Sequence, residues 1–233
     1  MKRPTTSNTN PHEAVSRPVQ CHRLPAFPAD DLVAIRRAFR QATPLPLRQM
    51  WLSKPDPHFA PAAVRAGWRG SSLLVFAELT DADVFTLAKL PNERLWELGD
   101  SFEIFLRPVE QQAYVEFQVA PNNQRLQLRF ASPAAVEHAR KTGSLDGALM
   151  RHDAFTSRTW VRPKTGRWFA LVKIPAKSVG ESAGPLPGSK WFFSFSRYDH
   201  TRGRNQPVIS STSPHTKPDF HRQREWGTMR FQK

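Results

Sequence analysis

Residues Leu95 to Phe130 read LWELGDSFEIFLRPVEQQAYVEFQVAPNNQRLQLRF, and apolar and polar side chains alternate through them in separate short runs. Phe102, Ile104 and Leu106 alternate with Glu103, Phe105 and Arg107. Val115, Phe117 and Val119 alternate with Tyr114, Glu116 and Gln118. Leu126, Leu128 and Phe130 alternate with Arg125, Gln127 and Arg129. Successive side chains of a strand point to opposite faces, so this pattern predicts half-buried strands. The links, Pro108 to Gln112 and Pro121-Asn122-Asn123, are turn chemistry, so the strands form an antiparallel meander. One face is expected to pack a core. The other is expected to present carboxylate, amide, tyrosine and guanidinium groups as an exposed platform for a polar ligand.

The rest of the chain is read around that meander. Residues 1–28, rich in Pro, Thr, Asn and Ser, predict a disordered tail. DDLVAIRRAF predicts a short helix capped by Asp, with Leu32, Ile35 and Phe39 as its apolar stripe. PLRQMWL, AAVRAGWRG and SSLLVFAELTD predict strands, the last apolar on both sides and therefore central. Residues 81–100 are a long connection with a helical turn near Val84–Ala88. PAAVEHARKTGS predicts a second helix, ending at Gly143. FTSRTWVRP and GRWFALVKIP form a hairpin, KWFFSFSRY is a strand, residues 199–225 are a long loop, and WGTMRF closes the chain as a strand. There is no alternation of strands with helices and no fixed repeat. The expected fold is all-β: an antiparallel β-sandwich of ten to twelve strands, one domain over residues 29–233, with one or two short peripheral helices.

With 233 residues and sixteen Phe, the chain can build a substantial core. Its net charge of +14 should attract polyanions. The charge is uneven: Lys and Arg dominate residues 190–233, whereas Glu78, Asp81, Asp83, Glu93, Glu97, Asp100 and Glu103 cluster ahead of the meander. Cys21 is the single cysteine, so no intrachain disulfide forms. No apolar run approaches membrane-spanning length, and the opening MKRPTTSNTNPHEAV lacks the apolar segment of a secretory signal.

Most tryptophans fall in or at the ends of predicted strands, where packing explains them. Trp96 lies instead in the acidic connection, just before Gly99-Asp100. An aromatic plane beside carboxylates and amides suits a pyranose, whose faces are apolar and whose rim is hydroxyl. Glu78, Glu103 and Glu116, if adjacent strands carry them, would raise glycoside hydrolysis as an alternative, but a solvated or ion-paired strand face accounts for them. Asp81 and Asp83 are the candidate ligands for a structural calcium ion. His200, His215 and His221 match no zinc spacing. No Walker A, Rossmann or nucleophile-elbow motif occurs.

Trp96-Glu97-Leu98-Gly99-Asp100-Ser101-Phe102-Glu103-Ile104-Phe105-Leu106, followed by Tyr114 to Asn123, resembles the core pattern of the family 9 and family 9-like carbohydrate-binding modules. Leu73 to Asp83 is similar to the strand and Asp-x-Asp that precede it. Trp191 to Tyr198, and Asp219 through Trp226-Gly227 to Phe231, are similar to the family's close. The resemblance spans residues 45–233. It implies a β-sandwich that binds glycans without catalysis, commonly the end of a β-glucan or xylan chain, with structural calcium in some members. It maps a stacking role onto Trp96 and a hydrogen-bonding role onto Glu103. Where the family has a basic or amide pair, on or near Gln118 and Ala120, Gln118 lacks the charge and Ala120 offers no side-chain hydrogen bond, and residues 199–225 hold no second stacking tryptophan.

The expected function is therefore non-catalytic carbohydrate binding, through Trp96, Glu103, Gln118 and Arg197. Arg197 either joins the platform or, if its face is core, neutralises a buried carboxylate such as Glu103. The alternative is a polyanion- or nucleic-acid-binding adaptor using the basic C-terminal region, where Arg202, Arg204, Arg222 and Arg224 lie. No cofactor is required. The absent signal favours the cytoplasm and the resemblance favours an extracellular or periplasmic site; oligomeric state is left open.

Overall fold

The structure, a computed structural model, describes residues 18–150, 154–180 and 187–232. It is all-β, with twelve strands hydrogen-bonded into one continuous sheet that folds over on itself. One half runs β7 (Arg125–Phe130), β6 (Tyr114–Val119), β5 (Ser101–Pro108), β10 (Lys190–Asp199) and β12 (Gly227–Phe231), with β11 (Val208–Ser211) beside β10. The other runs β3 (Ala62–Arg69), β4 (Ser72–Thr80), β9 (Arg167–Pro175) and β8 (Thr156–Arg162), with β2 (Leu45–Pro46) beside β3. β1 (Val19–Arg23) joins them. It pairs with β12 through Val19–Cys21 and with β3 through His22–Arg23, both in parallel.

Every pairing not involving β1 is antiparallel, so the sheet is mixed rather than purely antiparallel. β1 also corrects the expected tail. Residues 19–23 form a strand whose Cys21 is fully buried, and burial pushes that thiol's pKa up. Residues 24–28 of the expected tail are also described, with Leu24 buried, and residues 1–17 lie outside the described residues.

The main core lies between the two halves. Phe102, Ile104, Leu106, Val115, Phe117, Val119, Trp191, Phe193 and Phe195 face Val64, Leu73, Val75, Ala77, Trp168, Ala170 and Val172. Helix α1 (Leu32–Ala38) covers the outer face of β4 and β9 with Ile35 and Phe39. Asp31 caps it, accepting hydrogen bonds from the backbone of Val33 and Ala34.

Local placements differ from expectation where alternation was absent. β2 is two residues long, and Met50 to Leu52 lie in a turn instead of a strand. The helical turn of the long connection, α2, is Leu95–Leu98, not Val84–Ala88. Helix α3 (Pro133–Thr142) ends at Gly143 in the left-handed conformation, as expected.

The two faces of β7 are also the reverse of a simple continuation. Glu116 pairs with Leu128 and Tyr114 with Phe130, so the apolar side chains of β7 share the face of Tyr114, Glu116 and Gln118. β7 ends the sheet order, and its polar residues turn inward to satisfy loop backbone. Arg125 donates to the Phe155 carbonyl, Arg129 donates to the Val179 carbonyl, and Gln127 accepts from Ala154.

Candidate glycan-binding site

The expected exposed platform is in fact roofed. α3 and the segment around Phe220 and Trp226 pack over Phe105, Tyr114, Leu126, Leu128 and Phe130 as a second apolar cluster. What remains of the platform is a cavity of about 500 Å³, partly open to solvent. Its floor is Glu103 and Phe105 of β5, Glu116 of β6, Leu128 and Phe130 of β7, and Tyr198 of β10. Its walls are Arg94 and Trp96 at α2, Val136, Ala139 and Arg140 of α3, and Pro218 to His221. That size and mixture of rings with a few polar groups suit a small organic ligand.

Trp96 reaches the cavity because of how α2 ends. Gly99 has φ +138°, and a Cβ there would meet the Phe85 carbonyl oxygen at 2.6 Å. Glycine alone allows this approach, which pairs Gly99 with Thr86 and leads straight into β5. The Trp96 carbonyl accepts from His200 Nε2 at 2.9 Å, and the Arg94 guanidinium lies 6.0 Å from its ring centroid. The ring is half-buried.

Glu103 and Glu116 are diagonal neighbours on one sheet face, since Glu103 pairs with Gln118 and Phe105 with Glu116. Both are almost wholly buried, at 2% and 3% exposed. Burial raises the pKa of each, to about 7 for Glu116, and the neighbouring Glu116 charge raises Glu103 further. Gln118 does not line the cavity. It lies behind Glu116 and donates from Nε2 to Glu116 Oε1 at 2.6 Å, and so positions that carboxylate. Glu116 Oε2 and Gln118 Oε1 have no hydrogen-bond partner among the described residues.

His221 completes the wall. Burial, then Arg140, hold its pKa at about 4, so the ring is neutral. Its Nδ1 lies 2.5 Å from the Tyr114 hydroxyl, and Nε2 stands 3.8 Å from Glu116 Oε2, beyond hydrogen-bond reach.

Arg197 is not part of this site. It pairs across the ladder with Phe102, so it points into the main core, where it is 0% exposed. It does neutralise buried carboxylates, but these are Asp81 and Asp199, each 2.9 Å from Nη2, and not Glu103. Asp100 stands beside them and accepts from Phe85 and His200 backbone N–H groups. Burial and the nearby Asp81 push Asp100 up to about 8, and burial pushes Asp199 up to about 7.

The candidate calcium ligands Asp81 and Asp83 do not converge. Asp83 turns outward to Arg202, whereas Asp81 turns inward. Nor do Asp81, Asp100 and Asp199 fit calcium: the Arg197 guanidinium supplies the cation and sits against two of the three carboxylates. The histidines also diverge, to Trp96, Glu225 and Tyr114 respectively. Ser194, His215 and Glu225 have the hydrogen-bond order of a nucleophile, base and orienting acid, at 3.4 and 3.1 Å. Ser194 and His215 are 0% exposed, so this set fastens the 212–226 segment to β10 and meets no substrate. At the basic C-terminal region, Arg202 is paired with Asp83 and Arg222 with Glu225, which leaves less unpaired charge there than the sequence promised.

These buried carboxylates set an unusual pH dependence. A group whose native pKa is raised stabilises fully below its unfolded pKa, and the contribution is lost as pH rises through the native value. Asp100, Asp199 and Glu116 all act in this sense. His221, His200 and His215, whose native pKa values are lowered, act oppositely, but only as pH falls below about 6.5. Unfolding free energy from urea titrations is therefore expected to fall between about pH 6.5 and 8.5, by about 1–2 kcal/mol per pH unit. A flat profile over that window would show the three carboxylates already ionised.

No family profile matches the sequence, and no curated protein matches it. Solved structures do. A candidate carbohydrate-binding protein from Bacteroides uniformis superimposes with a TM-score of 0.72 at 18% identity, covering 91% of this chain and 98% of that one. A family 9 carbohydrate-binding module from Caldicellulosiruptor kristjanssonii, in complex with cellotriose, gives 0.62 at 15% identity, covering 93% and 94%. The same kind of module in complex with glucose gives 0.60 at 14%, covering 93% and 96%. The chain has the fold of the family 9 carbohydrate-binding modules.

Proposed function

We propose that this chain is a non-catalytic glycan-binding module that takes a sugar ring, as from the end of a β-glucan- or xylan-type chain, into the cavity beside Trp96. The observation that carries this reading is the meeting of Trp96 with the Glu103 and Glu116 carboxyls in one open cavity. The tryptophan plane covers an apolar sugar face, and the carboxyls accept from ring hydroxyls. The cellotriose- and glucose-bound modules that share the fold support the same reading. Glycoside hydrolysis is disfavoured because the sugar-bound structures that share the fold are binding modules.

Trp96→Ala is expected to abolish binding of cellotriose in isothermal titration calorimetry while leaving the thermal midpoint nearly unchanged. Affinity in the unaltered chain should also change little with salt, since a neutral sugar releases no counterions. A variant that unfolds would make Trp96 a structural plug. Binding that weakens steeply with salt would favour a polyanion ligand.

A further inference from the structure

We propose that the cavity prefers sugars that carry a protonated amine over neutral or acidic ones. This rests on the reading of the cavity as a sugar site and adds the chemical class of the ligand. Among the described residues, Glu103 and Glu116 form a buried acidic pair with no cation of their own. Arg140, the nearest wall guanidinium, is engaged with both Asp219 oxygens, at 2.7 and 3.4 Å. Arg94 is engaged with Glu97 and with the Gly143 carbonyl. His221 is neutral, with one nitrogen taken by Tyr114.

The floor therefore keeps an unmet acceptor at Glu116. Glu116 Oε2 is unpartnered, and Gln118 spends its amide N–H on the other oxygen. A hydroxyl answers such a floor poorly, because each donor it brings comes with acceptor lone pairs of its own. An ammonium brings three donors, no acceptor and a full charge. Burial holds protons on the pair, and a ligand ammonium beside it favours the ionised carboxylates that it then pairs with. The walls agree: Phe105, Tyr198 and Trp96 present rings to the cavity, and ring faces attract cations. The +14 net charge opposes the approach of a cation only at long range, and it is screened beyond about 8 Å at physiological salt.

The test is calorimetric titration of the whole chain, near neutral pH, with glucosamine, glucose, N-acetylglucosamine and glucuronic acid. Glucosamine is expected to bind about tenfold more tightly than glucose, which equals about 1.4 kcal/mol. N-acetylation, which removes the charge at the same position, should abolish the advantage, and glucuronic acid should bind most weakly. Glu116→Gln, which keeps the shape and removes a charge, should bring the glucosamine-to-glucose ratio close to one. Glucose bound as tightly as glucosamine, or more so, overturns the proposal and leaves the sugar site standing. A preference that survives Glu116→Gln also overturns it, because the carboxyl pair is then not its source. If none of the four sugars binds, the preference is overturned, and if cellotriose fails as well the cavity is not a sugar site and both readings fall.

Discussion

Arg197→Met is expected to destabilise the protein by about 3–5 kcal/mol in urea unfolding, because it strands buried carboxylates that share one counter-charge. The guanidinium contacts Asp81 and Asp199 at 2.9 Å and the Thr80 carbonyl at 2.6 Å. It thereby ties the end of β10 to the end of β4, one from each half of the folded sheet. Methionine fills the volume but neutralises nothing. The remaining acids then hold their protons more strongly, so the penalty should be larger near pH 8 than near pH 5. A loss under about 1 kcal/mol, equal at both pH values, would mean that the pair contributes little beyond a hydrophobic replacement.

Phe117→Ala should cost a similar amount, about 3–5 kcal/mol, through a different cause. Phe117 is 0% exposed at the centre of the main core, with its ring 4.8 Å from that of Phe155. β6 is hydrogen-bonded on both sides, so the backbone cannot collapse into the space left behind. This loss should depend little on pH, in contrast to that of Arg197→Met. Under about 1 kcal/mol would mean that β6 presents its other face to the core.

The candidate site was legible to unequal degrees. Trp96 stood out because a large aromatic in an acidic, non-alternating stretch has no strand to explain it, and Glu103 followed from its place in the alternation of β5. Glu116 was visible as a polar position that could pair with Glu103, but nothing in the sequence said that a helix and a loop would enclose the two in one cavity. Arg140, Asp219 and His221 were not identified as a wall. They come from a helix and a loop that are distant in sequence, and only their packing over the meander brings them together. Arg197 shows the limit of reading one strand alone. Alternation put it on the face of Trp191, but whether that face is core or platform depends on which half of the sheet lies opposite.

By itself, the sequence determined the strand-rich class, the meander, the pairing of Phe102, Ile104 and Leu106 with Val115, Phe117 and Val119 in one core, and both longer helices. All of these follow from local periodicity and capping, which act over a few residues. The tertiary structure alone decided the parallel strand from the expected tail, the inverted faces of β7, the roof over the platform and the removal of Arg197 to the core. Each depends on contacts between segments far apart in the chain, and a pattern of period two specifies two faces without saying what will cover either.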